Sequence, residues 1–186
     1  MLASGSRYRR ALLERLGLPF EVRSPDIDEA PLAGESAPDT ALRLSLLKAR
    51  ALSDSGDLII GSDQVASCGA RRYGKPGNHE AAVRQLRELS GKTVDFDTAV
   101  TLLDARKNTH ESRLVSCRVT FRKLDAEKIE RYLQREKPYD CSASAKAEGL
   151  GIALIARIDT EDPSSLIGLP LIALTELLER AGLRVL

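Results

Sequence analysis

The segment Leu58-Ile59-Ile60-Gly61-Ser62-Asp63 constrains this chain most. A continuous apolar run of this length suits a strand covered on both faces, as in a sheet with helices packed on either side. A carboxylate at the exit of such a strand is well placed for a cleft.

Strand and helix patterns alternate around it. Met1-Leu2-Ala3 reads as a short first strand that ends at Ser4-Gly5-Ser6. A helix over roughly 7–17 follows, with Ala11, Leu12 and Leu16 on its apolar side and Gly17 as its stop. After a loop containing Pro19, Pro25 and Pro31, the spacing of Leu44, Leu47 and Ala51 predicts a helix over about 39–54, capped by Asp39. Asn78 caps a helix to about Leu89, ended by Gly91. Strands are expected at about 93–103 and 113–122, joined by the polar turn from Asp104 to Asn108. In the second, Val115, Cys117, Val119 and Phe121 alternate with polar residues, the period of a half-buried strand. Asp125 caps a helix of about 126–136, Gly149 to Ile158 reads as a strand, and Pro170 to Gly182 as a closing helix. No repeat, low-complexity stretch or linker interrupts the pattern. The expectation is one α/β domain over 1–186, a mixed central sheet flanked by helices.

Bulk properties exclude several function classes. Lys+Arg 28 against Asp+Glu 27 gives a net charge of +1, so there is no electrostatic case for a nucleic-acid or membrane binder. Anion binding must be built locally. Cys68, Cys117 and Cys141 are odd in number and lack CxxC spacing, which argues against a disulfide framework or zinc ribbon and suits a reducing, cytoplasmic setting. No long apolar run exists, and Arg7, Arg9, Arg10, Glu14 and Arg15 interrupt the N-terminal apolar positions, so neither export nor a membrane span is expected. His79 and His110 stand apart from any metal-ligand or nucleophile pattern. Leu89-Ser90-Gly91-Lys92-Thr93 resembles the end of a P-loop but has Leu86 at the upstream glycine position and follows a helix instead of a strand.

Three constellations carry chemistry. Ser4-Gly5-Ser6-Arg7-Tyr8-Arg9-Arg10 sets backbone N–H groups and guanidiniums at a strand-to-helix junction, a site for a polyphosphate or, as the segment reads when taken alone, a solvated basic face. Asp63 can accept a proton from an attacking water or hold a divalent cation, or be a plain turn residue. Lys75, between Gly74 and Pro76, reads as a phosphate clamp or a simple turn. The acidic loop Pro25-Asp26-Ile27-Asp28-Glu29 is either part of a cation site with Asp63 or a solvated run.

Taken in order, Leu2 to Arg10, Asp26-Ile27-Asp28-Glu29, Lys48-Ala49, Gly61-Ser62-Asp63-Gln64-Val65, Gly74-Lys75-Pro76, Leu89-Ser90-Gly91 and Gly168-Leu169-Pro170-Leu171 resemble the motifs of the Maf family of nucleoside triphosphate pyrophosphatases. The resemblance covers nearly the whole chain. It implies a Maf/ITPase-like fold with two lobes around an elongated cleft, dependence on a divalent metal cation (Mg or Mn), and hydrolysis of a nucleoside triphosphate to monophosphate and pyrophosphate. Members are often dimers, so a homodimer is expected. Carried onto this sequence, Asp63 is the proton acceptor and Lys75 its catalytic partner. Ser4, Arg9, Arg10 and Lys48, with Lys75, bind phosphate, and Glu29 with Asp63 forms the metal site.

Gln64, together with Lys146, Glu148, Gly149 and Gly151, resembles the branch acting on 7-methyl-GTP. On that reading Tyr8, Gln64 and Glu148 set specificity: a carboxylate can accept from the guanine N1–H and exocyclic amine together, and an electron-rich ring favours a cationic methylated purine. The alternatives that the resemblance leaves are a pyrimidine triphosphate substrate and a septum-formation inhibitor acting by protein binding. The chain departs from the family at Ala143, where glycine is usual, and at Ala145, where an aromatic residue is common.

Overall fold

A computed structural model describes residues 1–55 and 58–186. In chain order the elements are β1 (Leu2–Ala3), α1 (Arg7–Glu14), β2 (Val22–Arg23), α2 (Ala37–Arg50), β3 (Leu58–Cys68), β4 (Arg71–Arg72), α3 (His79–Leu89), β5 (Thr93–Asp104), β6 (Thr109–Phe121), α4 (Ala126–Glu136), β7 (Ile155–Asp159) and α5 (Leu171–Arg180). The strands form one mixed sheet in the order β2-β1-β3-β5-β6-β7, with β4 paired to β3. β1 runs parallel to both β2 and β3, whereas β3–β4 and β6–β7 are antiparallel. The expected α/β class, with a mixed sheet and flanking helices, is what the chain adopts. Among the described residues no helix is long and apolar enough to cross a membrane.

The chain divides into two compact units, one of residues 1–64, 97–115 and 161–186, the other of residues 65–96 and 116–160. In the first, the apolar run of β3 is indeed buried on both faces. Ile60 packs with Leu2, Leu12, Leu13, Val100 and Leu174, while Ile59 packs with Ala49, Leu52 and Leu103. Successive side chains on a strand point to opposite faces, so one short run serves two apolar layers. In the second unit, Ile129 and Leu133 of α4 and Leu86 and Leu89 of α3 are buried, as are Cys117, Val119 and Phe121 of β6. The alternation read from β6 is therefore borne out.

Four local expectations need correction. β3 does not end at Gly61 but continues to Cys68, which places Asp63 within the strand. α2 starts two residues early because Ser36 is its cap, its hydroxyl accepting from the Asp39 N–H at 3.2 Å. Its buried face is Ala41, Leu44, Ser45, Lys48 and Ala49, while Leu47 and Ala51 are exposed. The stretch from Leu150 to Leu154 is a 3-10 turn and only Ile155–Asp159 is strand. The reason is local: Gly149 and Gly151 both donate to the Lys146 carbonyl at 3.0 Å, which curls the chain before it can extend. The helices with a clear cap, α3 at Asn78 and α4 at Asp125, begin and end where the sequence places them.

Candidate active site

Two polar clusters of the first unit grow from opposite faces of β3. On the face of Ile59 and Gly61 stands Asp63, 7% exposed, whose Oδ1 accepts from Lys48 Nζ at 2.6 Å. Lys48 is itself 5% exposed, and its ammonium lies 2.8 Å from Glu29 Oε1. A buried ammonium needs such partners, because leaving it unpaired in an apolar surrounding is costly. Glu29, Lys48 and Asp63, separated in sequence, are thus brought into one chain of charge. Its outer end is open to solvent, the Glu29 side chain being 59% exposed.

A glycine makes this pairing possible. A Cβ on Gly61 would lie 2.0 Å from the Ser45 carbonyl oxygen and 2.8 Å from Ala49 N, both backbone atoms of α2. Only hydrogen fits where the helix crosses the strand, and that close crossing brings Lys48 within bonding distance of Asp63. The Ser45 hydroxyl, one turn before Lys48, ties the same helix to β5 through Thr101 at 2.7 Å.

The loop carrying Glu29 is tethered to α2 by Arg43. Its guanidinium forks onto Glu35, with Nε–Oε1 at 2.6 Å and Nη2–Oε2 at 2.8 Å, and Nη2 also donates to the Ala30 carbonyl at 3.1 Å. This pairing draws the Glu35 carboxyl down from 4.5 to about 2. A depressed folded-state value means the tether is complete above the unfolded-state value and is lost as pH falls from about 4.5 through about 2. Carbon-detected titration of Glu35 should give a midpoint near 2, returning toward 4.5 in Arg43→Ala. An unchanged midpoint in that variant would show that Arg43 does not hold the loop.

On the other face of β3 lie Ser62 and Gln64. Ser62 Oγ donates to the Gly168 carbonyl at 3.0 Å. Gln64 Nε2 donates to Thr98 Oγ1 at 3.0 Å and to the Ser165 and Leu166 carbonyls at 2.9 and 3.1 Å. Two carbonyls beside one amide group fix its orientation, since an oxygen there would be repelled. The turn before α5 is therefore held by β3 and β5. Its Gly168 carbonyl also accepts from Arg9 Nε at 2.8 Å, and Arg9 Nη1 lies 3.4 Å from Ser4 Oγ. Burial pulls the Arg9 pKa down from its ordinary value, while Asp63 and Glu29 oppose that shift. Arg9 thus joins the electrostatic field of the carboxylates.

The other N-terminal residues diverge. Adjacent helix positions point in different directions, and Arg10 lies on the exposed side of α1, paired with Glu14 at 3.0 Å. The first-turn N–H groups are partly engaged: Ser6 Oγ accepts from Arg9 N at 3.4 Å, and Ser4 Oγ accepts from Ser6 N at 3.1 Å. Tyr8 carries the Arg7 guanidinium 4.8 Å from its ring centroid, so the ring already accommodates a cation on one face.

Lys75 and Glu148 belong to the second unit, and both are exposed. Lys75 sits in a loop whose Gly74 carbonyl accepts from Gln85 Nε2 at 3.1 Å and whose Gly77 N–H donates to the Tyr139 carbonyl at 2.9 Å. Glu148 rides on a turn organised by α4. Glu136 accepts from Lys146 Nζ and from Leu150 N, each at 2.6 Å, and Tyr132 OH accepts from Lys146 N at 3.1 Å. Ala143, where the family glycine was expected, has φ 55, a left-handed conformation that a Cβ disfavours.

Several contributors escaped the sequence reading: Arg43, Ser45, Ser62, Gln85 and Glu136. A polar serine and lysine at helical spacing on the buried side of α2, Ser45 and Lys48, were the signal available. Among the described residues no three His, Cys, Asp or Glu side chains group as a metal site.

The family model described as "Maf-like protein" matches residues 1–181. A protein named 7-methyl-GTP pyrophosphatase from Thiobacillus denitrificans is 53% identical over the whole of this chain and 94% of its own length. One of the same name from Cupriavidus pinatubonensis is 54% identical, covering 98% of this chain and 92% of that protein. Another, from Burkholderia orbicola, is 52% identical over 97% of this chain and 89% of that protein. With ordered motifs, a mixed sheet and a full-length match in agreement, the chain belongs to the Maf family.

Proposed function

We propose that this chain is a nucleoside triphosphate pyrophosphatase acting on 7-methyl-GTP in the cytoplasm, removing a modified nucleotide from the pool. The observation that carries the reading is the Glu29–Lys48–Asp63 chain beside Arg9, a buried carboxylate held in place by a cation within a charged, partly open cluster. The names of relatives more than half identical over nearly the full chain support the substrate.

The chemistry follows from the residues. Water attacks the α-phosphorus and its proton passes to the Asp63 carboxylate as the oxygen–phosphorus bond forms. The bond from the α-phosphorus to the bridging oxygen breaks, its electron pair leaving with pyrophosphate. Arg9, fixed at Nε by the Gly168 carbonyl, presents its remaining N–H groups to phosphate oxygens, and Ser4, Arg10, Lys48 and Lys75 complete the phosphate-binding set. Glu29 and Asp63 converge on one cation, the Lys48 ammonium, and their hard carboxylate oxygens are the groups that would hold Mg²⁺ or Mn²⁺. Such a metal, when bound, neutralises phosphate charge. Tyr8, Gln64 and Glu148 are assigned to the base. The family match over residues 1–181 supports reading the chain as one catalytic domain over residues 1–186, and the family resemblance favours a homodimer.

Pyrophosphate release from purified protein with Mn²⁺ or Mg²⁺ should be fastest with 7-methyl-GTP in a panel that includes GTP, UTP, dTTP and CTP. A folded protein that releases none from any of them is not this enzyme. Glu148→Gln should narrow the preference for 7-methyl-GTP over UTP by about tenfold, the scale of one charge-assisted hydrogen bond. An unaltered substrate profile would place base recognition elsewhere.

A further inference from the structure

Within the second unit, Lys75 and Glu148 sit on separate loops, and one side chain that the proposed mechanism does not use touches the frame of both. Gln85, on α3, donates from Nε2 to the Gly74 carbonyl at 3.1 Å and accepts at Oε1 from Ser144 Oγ at 2.7 Å. The carbonyl can only accept, so the amide orientation is fixed, and the serine hydroxyl must then be the donor on the other side. One amide therefore spans the residue before Lys75 and the turn that leads to Glu148.

That turn needs external support. Ala143 and Ser144 are consecutive left-handed residues, with φ 55 and 56, and neither is glycine. Such a pair persists only when its surroundings over-determine it. The supports are few and specific. Ala143 N donates to the Tyr73 carbonyl at 3.3 Å, Tyr132 OH donates to the Ser144 carbonyl at 3.1 Å, and Gln85 holds the Ser144 hydroxyl. Only the last of these also reaches the lysine loop by side chain.

We propose that Gln85 is a positioning residue that sets the Lys75 loop and the Glu148 loop in register with each other, so that phosphate binding and base recognition share one anchor. The proposal rests on the roles given above to Lys75 and Glu148. It explains why a glutamine, which offers a donor and an acceptor from one planar group, occupies a half-buried position on α3.

Three variants separate its two arms. Gln85→Glu keeps an acceptor for Ser144 but has no donor for the Gly74 carbonyl. Ser144→Ala removes the other arm, and Gln85→Leu removes both. With 7-methyl-GTP and GTP as substrates, Gln85→Leu should lower kcat/KM about tenfold and contract the preference between them. Gln85→Glu should lower kcat for both substrates alike, with hydrogen exchange faster at residues 74–77. Ser144→Ala should change the preference, through KM, with exchange faster at residues 143–148. A folded Gln85→Leu protein with unaltered exchange in both loops, or with unaltered kinetics beside impaired Lys75→Ala and Glu148→Gln controls, overturns the proposal. If exchange rises in both loops while those two controls behave as wild type, the anchor stands and the roles given to Lys75 and Glu148 are what fail.

Discussion

Asp63→Asn is expected to lower the rate of pyrophosphate release by about a thousandfold, within the range for removing a general base, while leaving nucleotide binding largely intact. The substitution is nearly isosteric, and the asparagine carbonyl oxygen can still accept from Lys48 Nζ, now 2.6 Å from Oδ1. Lys48 also keeps Glu29 at 2.8 Å, so the buried ammonium is not left without a carboxylate. The melting temperature should therefore fall by only about 2–8 °C, as for a loss of one to two kcal/mol in a chain of this size. What the variant loses is an oxygen able to take a proton from water. Steady-state pyrophosphate release, paired with equilibrium titration of 7-methyl-GTP, distinguishes the cases. Normal turnover would remove Asp63 from the mechanism, and lost turnover with equally lost binding would make it a structural residue.

The pairing behind that expectation was legible in the sequence only in part. Asp63 and Lys48 stood out through family motifs, yet apolar spacing on α2 pointed to Leu44, Leu47 and Ala51, and Leu47 and Ala51 face solvent. Periodicity follows apolar residues, whereas the buried face here carries Ser45 and Lys48, polar groups whose partners lie on distant strands. Gly61 misled in the same way. As punctuation it suggested a strand end, but inside β3 it is a point of close approach to α2. Local signals performed best where the cause is local: the Asn78 and Asp125 caps each accept from a backbone N–H three residues on, and α3 and α4 follow the expected bounds. The clamp from Ser62 and Gln64 to the carbonyls of residues 165, 166 and 168 had no signal, because its acceptors are backbone atoms a hundred residues away that no side-chain pattern announces.

Among the described glycines of the first unit, Gly61 should be the least tolerant of an added methyl, as in Gly61→Ala. The new Cβ would meet the Ser45 carbonyl oxygen at 2.0 Å and Ala49 N at 2.8 Å, and neither is the end of a flexible side chain. Helix and strand must separate, and overpacking that moves backbone costs about 1–3 kcal/mol, with a backbone clash this close at the upper end, about 3 kcal/mol. For a chain of this size that corresponds to about 6–12 °C in melting temperature. Activity should fall together with stability. Lys48 lies between the two points of impact, next to Ala49, and drawing α2 away from β3 opens its contact with Asp63. A misplacement of about 1 Å at a reacting group is worth about a hundredfold in rate. Thermal unfolding, with pyrophosphate release measured well below the melting temperature, tests both parts. A variant that melts lower but turns over normally would mean that the spacing of α2 and β3 does not control the Lys48–Asp63 pair. Gly74→Ala is the matched control, because a Cβ there meets nothing within 4 Å and that glycine has an ordinary backbone angle. It should leave the melting temperature within a degree or so, as expected for a surface change, so that a fall in melting temperature confined to Gly61→Ala isolates the helix–strand crossing as its cause.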